Sequence, residues 1–328
     1  MKRCVALLLV FLLISGIGVF ARETVTVMGV WGGVELEAFE KVMETFEAAT
    51  GIEVEFEGTR DLPTLLTTRI EAGNPPDIVV LTGLGMMNDL ANDGVLVELS
   101  NVLDMKKFAE EYNPVWRELA TYEGGLYGLY ISADVKSLVW YNPKAFAANG
   151  YEVPGTWEEL EALSKRMIAD GNIPWSVGME SGAASGWPGT DWIEDIMLRT
   201  AGPEVYDQWV NHDIPWTDAR VKRAFEIFGS IVRDEAYTWG GPIAVNATNF
   251  NDAVAPLFMD PPQAFMHRQA SFITSTIREN NPNLVAGEDY DFFPFPPIEE
   301  EYGTPVLGAE DMVSSVKEKP AAKQLMRF

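Results

Sequence analysis

The chain has 328 residues, 47% of them hydrophobic, with 49 acidic against 24 basic side chains and a formal net charge of −25. That acid excess argues against nucleic acid and anionic membrane surfaces as partners, because both are held by clustered Lys and Arg. A single cysteine, Cys4, excludes an intrachain disulfide framework, and length and apolar content together suffice for two ordinary cores, so two domains are expected.

Lys2 and Arg3 precede an unbroken apolar run from Val5 to Phe20, and Val19-Phe20-Ala21 offers a signal-peptidase site before Arg22. The run is shorter than the ~20 residues of a bilayer span and no second one follows. Residues 1–21 therefore read as a cleaved export signal, and Cys4, in front of the apolar run, is misplaced for lipid attachment.

Thr24-Val25-Thr26-Val27-Met28 then predicts a strand, followed by a Gly32-Gly33 break and a helix with Leu36, Phe39, Met43 and Phe46 on its apolar stripe, widened by Val42. Gly51 is placed to end that helix. Ile52, Val54 and Phe56 alternate with Glu53, Glu55 and Glu57, as in a strand with one wet face. A second helix carries Leu62, Leu65, Leu66, Arg69 and Ile70 and stops at Gly73-Asn74-Pro75-Pro76, before the apolar strand Asp77-Ile78-Val79-Val80-Leu81. This order predicts an α/β layer fold, with ligands at the carboxyl ends of the strands.

Gly124-Gly125-Leu126-Tyr127-Gly128 and the extended runs around Ser132-Ala133-Asp134 read as the approach to a second unit. Thr156-Trp157-Glu158-Glu159 forms a capping box for a helix with Trp157, Leu160, Leu163 and Met167 on one side. Another helix from about Thr217 repeats Val221, Ala224, Phe225, Phe228, Ile231 and Val232 as a core stripe. Pro320 sits as a first-turn proline ahead of Ala321, Ala322, Leu325, Met326 and Phe328, and because the chain stops within that helix a continuation beyond Phe328 is expected.

The residues offer little for catalysis. The two histidines, His212 and His267, lie far apart in the chain with no His-x-x-x-His or Cys pair, so no metal or histidine-based triad is expected. Gly29-Val30-Trp31-Gly32-Gly33 lacks the order of a phosphate loop and reads as a tight turn that aims backbone amides and Trp31 at a cleft. Acidic residues are so abundant that a pair suited to glycoside hydrolysis carries no information, although a secreted glycoside hydrolase remains the rival reading. The ten tryptophans say more, because aromatic faces suit the C–H faces of sugars while carboxylates and amides take the hydroxyls. Trp187-Pro188-Gly189-Thr190-Asp191-Trp192 has that composition in a turn-like setting, and Trp239-Gly240-Gly241-Pro242 sets a second aromatic in a loop. Trp157, Trp140 and Trp192 fit core stripes instead, and taken singly Arg60 and Asp191 read as solvated surface charges.

In order and spacing the chain resembles the extracellular solute-binding proteins of bacterial carbohydrate importers, the group that includes maltose-binding proteins. The resemblance rests on Thr50-Gly51-Ile52-Glu53-Val54, Glu71-Ala72-Gly73-Asn74-Pro75-Pro76-Asp77-Ile78, Leu90 to Leu99, Tyr127-Gly128-Leu129-Tyr130, Val139 to Phe146 and Pro154 to Leu160. Gly186 to Asp195 and Asp260 to Phe272 look most like alpha-glucoside-binding members, although Gln263-Ala264 stands where that group would have Gly-Cys.

The resemblance implies a two-lobed fold of type II, two α/β domains joined by crossing hinge strands. One lobe would hold residues 22–131 and 307–328, the other 132–306. By position it implies ligand contacts at Trp31, Gly32, Gly33, Thr82, Gly83, Lys136, Trp187, Asp191, Trp239, His267, Gln269, Glu310 and Asp311. It further implies a monomer without cofactor or enzymatic activity, exported to the periplasm or the outer cell face. Such a protein closes on a sugar or another small solute and delivers it to the permease subunits of an ABC transporter.

Overall fold

The computed structural model describes residues 22–328, so the export-signal reading of residues 1–21 lies outside the described part. The first sheet has strand order β2-β1-β3-β10-β6, with β1 Thr24–Gly29, β2 Glu53–Gly58, β3 Ile78–Leu81, β6 Leu129–Val135 and β10 Gly308–Ser315. Strands β1, β2 and β3 run parallel, while β10 is inserted antiparallel between β3 and β6. Two short strands, β4 Thr121–Tyr122 and β5 Gly125–Leu126, form a separate hairpin. The second sheet is antiparallel, β8-β7-β9, from β8 Met266–Arg268, β7 Leu138–Tyr141 and β9 Asp291–Pro294.

Local chemistry explains the first lobe's elements. Ile78 to Leu81 are all buried, as a strand covered on both faces requires. At the sheet edge, β2 turns Glu53, Glu55 and Glu57 to solvent, which discourages strand addition. Helix α1, Gly33–Thr50, ends where Gly51 adopts φ 74°, a left-handed cap that a side chain would strain. Met43 and Phe46 are buried on it and Leu36 and Phe39 are partly so, but Val42, expected to widen the stripe, is 53% exposed. Gly128 lies where β10 comes close; a Cβ there would fall 1.9 Å from Met312 Sδ.

Each sheet has its own core. Val25, Val27, Phe46, Leu66, Val79, Val80, Leu99 and Leu129 are joined in the first by Met312, Ala321, Ala322 and Met326, so the last helix returns to the lobe where the chain began. The second gathers Val139, Phe146, Leu160, Met167, Trp175, Trp192, Ile196, Val221, Phe228 and Phe295. Its helix Trp157–Ala169 is capped by Thr156, which accepts from Glu159 N at 3.2 Å, while Glu159 Oε2 accepts from Gly155 N at 2.7 Å. In the helix Ala219–Val232 the expected stripe is narrower than drawn. Phe225 is 49% exposed, because position 225 turns about 100° past Ala224 and off the buried face.

The chain crosses between the sheets twice, and the crossings clasp each other. Lys136 N donates to Leu307 O at 2.8 Å, and Leu307 N donates to Ser137 Oγ at 2.8 Å. Among the described residues no helix is long and apolar enough to cross a membrane.

Candidate functional site

The first wall is built at the end of β1. Trp31 is nearly buried, its ring 5.8 Å from Phe56 and 5.2 Å from Phe39, which fixes the indole plane. Its Nε1 donates to Asp311 Oδ2 at 2.7 Å, and Ser132 Oγ reaches the same oxygen at 3.2 Å. Beside this contact the β10–β6 register shifts between Asp311 and Met312, and such a bulge re-aims side chains. Trp31, Glu35, Ser132, Asp134 and Asp311 are among the residues lining a cavity of about 970 Å³. Burial, with the charges of Asp311 and Asp134, pushes Glu35 up to about 7. Burial also raises Asp311, against the hydrogen bonds from Trp31 and Ser132.

The second wall is a helix, where the sequence suggested a turn. Trp187, Asp191, Glu194 and Asp195 lie in Trp187–Thr200, and their spacing places them on adjoining positions of one face. Gly186, at φ 104°, caps the helix, and Pro188 stands in the first turn, where its missing N–H costs nothing. Trp-Pro-Gly marked the start of a helix as readily as a loop. Asp191, 2% exposed, accepts from Lys136 Nζ at 2.6 Å through Oδ1. Its Oδ2 has no hydrogen-bond partner among the described residues, although Arg268 Nη1 is 3.8 Å away. Burial raises Asp191 despite the opposing Lys136 and Arg268 charges. Burial, then the Asp191 charge, lifts Glu194 to about 7. The Lys136 ammonium sits 5.7 Å from the Trp187 ring centroid, and Trp187 contacts Phe250 edge-on at 5.0 Å.

A buried ion network holds this wall to the crossing strands. Asp195 accepts from Ser137 Oγ at 2.6 Å, from Arg199 Nη1 at 2.5 Å and from Arg268 Nη2 at 2.6 Å. Arg199 continues to Phe295 O at 3.1 Å and Pro305 O at 2.8 Å. Both chain crossings are thus tied to one helix through Asp195. The sequence reading missed this network, and the i, i+4 pair Asp195 and Arg199 was the one signal available for it.

The other expected residues lie as follows. Gly32 and Gly33 are exposed at the start of α1, and Thr82 and Gly83 are exposed just past β3, at the carboxyl ends of their strands. Glu310 is on β10 opposite Ala133, next to Asp311. His267 and Gln269 are buried in and just after β8. His267 Nδ1 is bonded to Ser176 O at 2.8 Å, burial lowers its pKa to about 4, and Gln269 Oε1 accepts from Ala270 N. Trp239 packs against Leu138, Trp140 and their neighbours in a second-lobe cluster. Direct contacts therefore join Trp31 to Asp311, and Lys136 to Asp191 and Trp187. Lys136 bridges the groups electrostatically, since its charge also acts on Asp311. Among the described residues no group of three or more His, Cys, Asp or Glu is placed to hold a metal.

Two α/β lobes joined by crossing strands, with aromatic and charged groups presented from each, define a two-lobed solute receptor fold of type II. The chain belongs to the bacterial extracellular solute-binding protein family, whose model matches residues 32–328. It is 48% identical over 307 residues to the osmoprotective compounds-binding protein GgtB of Synechocystis sp., covering 94% of this chain and 72% of that one. It is 42% identical over 318 residues to the alpha-glucosides-binding periplasmic protein AglE of Rhizobium meliloti, covering 93% and 68%. Among solved structures, a chitin oligosaccharide binding protein superposes with a TM-score of 0.77 at 24% identity, covering 93% of this chain and 75% of that one. Maltose-bound MalE3 of T. maritima does so at 0.71 and 19% identity, covering 92% and 75%.

Proposed function

We propose that this chain is the exported receptor of an ABC importer, and that it captures an alpha-glucoside or a related glucosylated polyol between its lobes and passes it intact to the membrane permease. The carrying observation is the pairing of two walls: Trp31 with Asp311 from the first lobe, and Trp187 with Lys136 and Asp191 from the second. Flat aromatic faces take the apolar side of a sugar ring, and fixed carboxylates and an ammonium take its hydroxyls. Glu35 and Glu194, both with pKa values near 7, add carboxyl groups able to donate as well as accept. The names of the two relatives, one binding osmoprotective compounds and one alpha-glucosides, support the ligand class.

In this reading residues 22–131 and 307–328 form one lobe and 132–306 the other, with the Lys136 and Leu307 crossings as the hinge. Ligand contacts to both walls favour the closed form, and the permease distinguishes it from the open one. The test is calorimetry against maltose, sucrose, trehalose and glucosylglycerol. Saturable binding of at least one of them is expected, and silence towards all four would remove the assignment.

A further inference from the structure

Among the described residues, Arg60 is a cation that reaches from the first lobe onto the aromatic floor of the second. It lies between β2 and the helix Leu62–Glu71, and its guanidinium carbon stands 5.0 Å from the centre of the Phe250 ring. Phe250 in turn contacts Trp187 at 5.0 Å and Phe272 at 6.0 Å, so Arg60 rests one ring away from the proposed sugar platform. Gly182 lies beside the base of the same side chain, since a Cβ added at Gly182 would fall 3.5 Å from Arg60 Cβ. Its charge acts on Glu35 in the first lobe and on Glu180 in the second. Among the described residues Arg60 has neither an ion pair within 4.0 Å nor a hydrogen bond, unusual for a half-buried guanidinium with five donors.

The surface that receives Arg60 is organised without it. Glu180 accepts from Gly182 N at 2.6 Å and from Asn249 Nδ2 at 2.7 Å, and Phe250 N donates to Glu180 O at 3.1 Å. Glu180 thereby ties the Gly182 segment to the Phe250 segment on which Arg60 rests. These bonds lie within the second lobe and survive if the lobes part, whereas the Arg60–Phe250 contact does not. A contact of that kind contributes to the closed form alone and so shifts the equilibrium between open and closed states. The cation also faces Glu180, a carboxylate already held by two donors, so no tight pair forms to keep the cleft shut.

We infer that Arg60 is a positioning residue for capture: a latch on the Phe250 face that holds the lobes together beside Trp187 and slows escape of the ligand. The inference rests on the sugar-receptor reading for its ligand, but the latch itself can be tested without one. Spin labels on Lys106→Cys and Lys165→Cys, with Cys4→Ser, report the separation of the lobes in the full chain, since both lysines are exposed and lie on different lobes.

Arg60→Ala should move the ligand-free distance distribution to longer separations and speed maltose release about three- to tenfold, the scale of one cation–π contact. Phe250→Leu should reproduce both effects, and the double variant should be no worse than either single one. Arg60→Lys, a milder change, should retain part of the closed population. A distribution that Arg60→Ala leaves unchanged, with Arg60→Lys equally silent, overturns the latch. Wild-type chain indifferent to maltose, sucrose, trehalose and glucosylglycerol alike, while Arg60→Ala still opens it, sinks the sugar assignment and leaves the latch standing.

Discussion

Carboxylates stand in both groups, half-buried around Trp31 and fully buried around Lys136, and they are neutralised differently. Asp311, in the first lobe, receives neutral donors, Trp31 and Ser132, and lies beside a Glu35 that holds its proton to about pH 7. Asp191 and Asp195, in the second, sit among Lys136, Arg199 and Arg268, with ion pairs as short as 2.5 Å. Each wall keeps one carboxyl that a proton can adjust, Glu35 in the first and Glu194 in the second. Only the second adds a network of buried cations, Arg199 and Arg268, that ties Asp195 to the crossing strands. The ionic support lies in the second group, beside both chain crossings.

The sharpest way to break that contrast is to remove a charge from the network. Asp195→Asn leaves Arg199 and Arg268 buried with a neutral partner and should cost about 3–5 kcal/mol of stability by urea denaturation. Asp311→Asn, on the first wall, should cost less than half of that in the same titration. Next in size, Trp187→Ala should weaken saccharide binding tenfold or more in calorimetry, with an unchanged far-ultraviolet circular dichroism spectrum. Unaltered affinity would take Trp187 out of the site.

A smaller effect sharpens the comparison through pH. Glu35 and Glu194 keep their protons to about pH 7 when folded but only to about 4.5 when unfolded. Between those values the folded chain binds more protons, so their contribution to stability is complete below pH 4.5 and is lost as pH rises to 7. His267 acts in the opposite sense. Burial lowers it to about 4 from 6.5, so stability falls as pH drops through that window. The Glu35→Gln, Glu194→Gln double variant should therefore lose less stability than the wild type between pH 4.5 and 7, measured as denaturation midpoints across that range. The smallest effect belongs to the surface: Phe225→Gln and Val42→Gln should each change stability by no more than about 0.5 kcal/mol, because both side chains are half exposed.

Much of the fold was legible because local pattern and burial agree. The run β1, α1, β2, Leu62–Glu71, β3 follows the alternation of residues 24–81, with Gly51 at its expected left-handed cap. The failures have two causes. Val42 and Phe225 flank apolar stripes, and only the packed neighbour decides how wide a stripe is covered. Trp187 to Asp191 read as a turn because proline and glycine serve a helix's first turn as well as a loop. Of the residues in the proposed site, Trp31, Lys136, Trp187, Asp191 and Asp311 were expected as ligand contacts from the sequence, although Asp191 taken singly read as a surface charge. Glu35, Glu194, Ser132 and Phe250 were not, and Arg60 was taken for a surface charge.

By itself the sequence determined the elements, the two cores and the residue types from which a cleft could be made, since periodicity, caps and apolar runs act within a few turns or strands. Tertiary structure alone decided which charges meet. Asp311 finds Trp31 across 280 positions of chain, and Arg268 finds Asp195 across 73. Coulombic and hydrogen-bond partners are set by distance in space and by local dielectric, and neither is written in the spacing of residues along a chain.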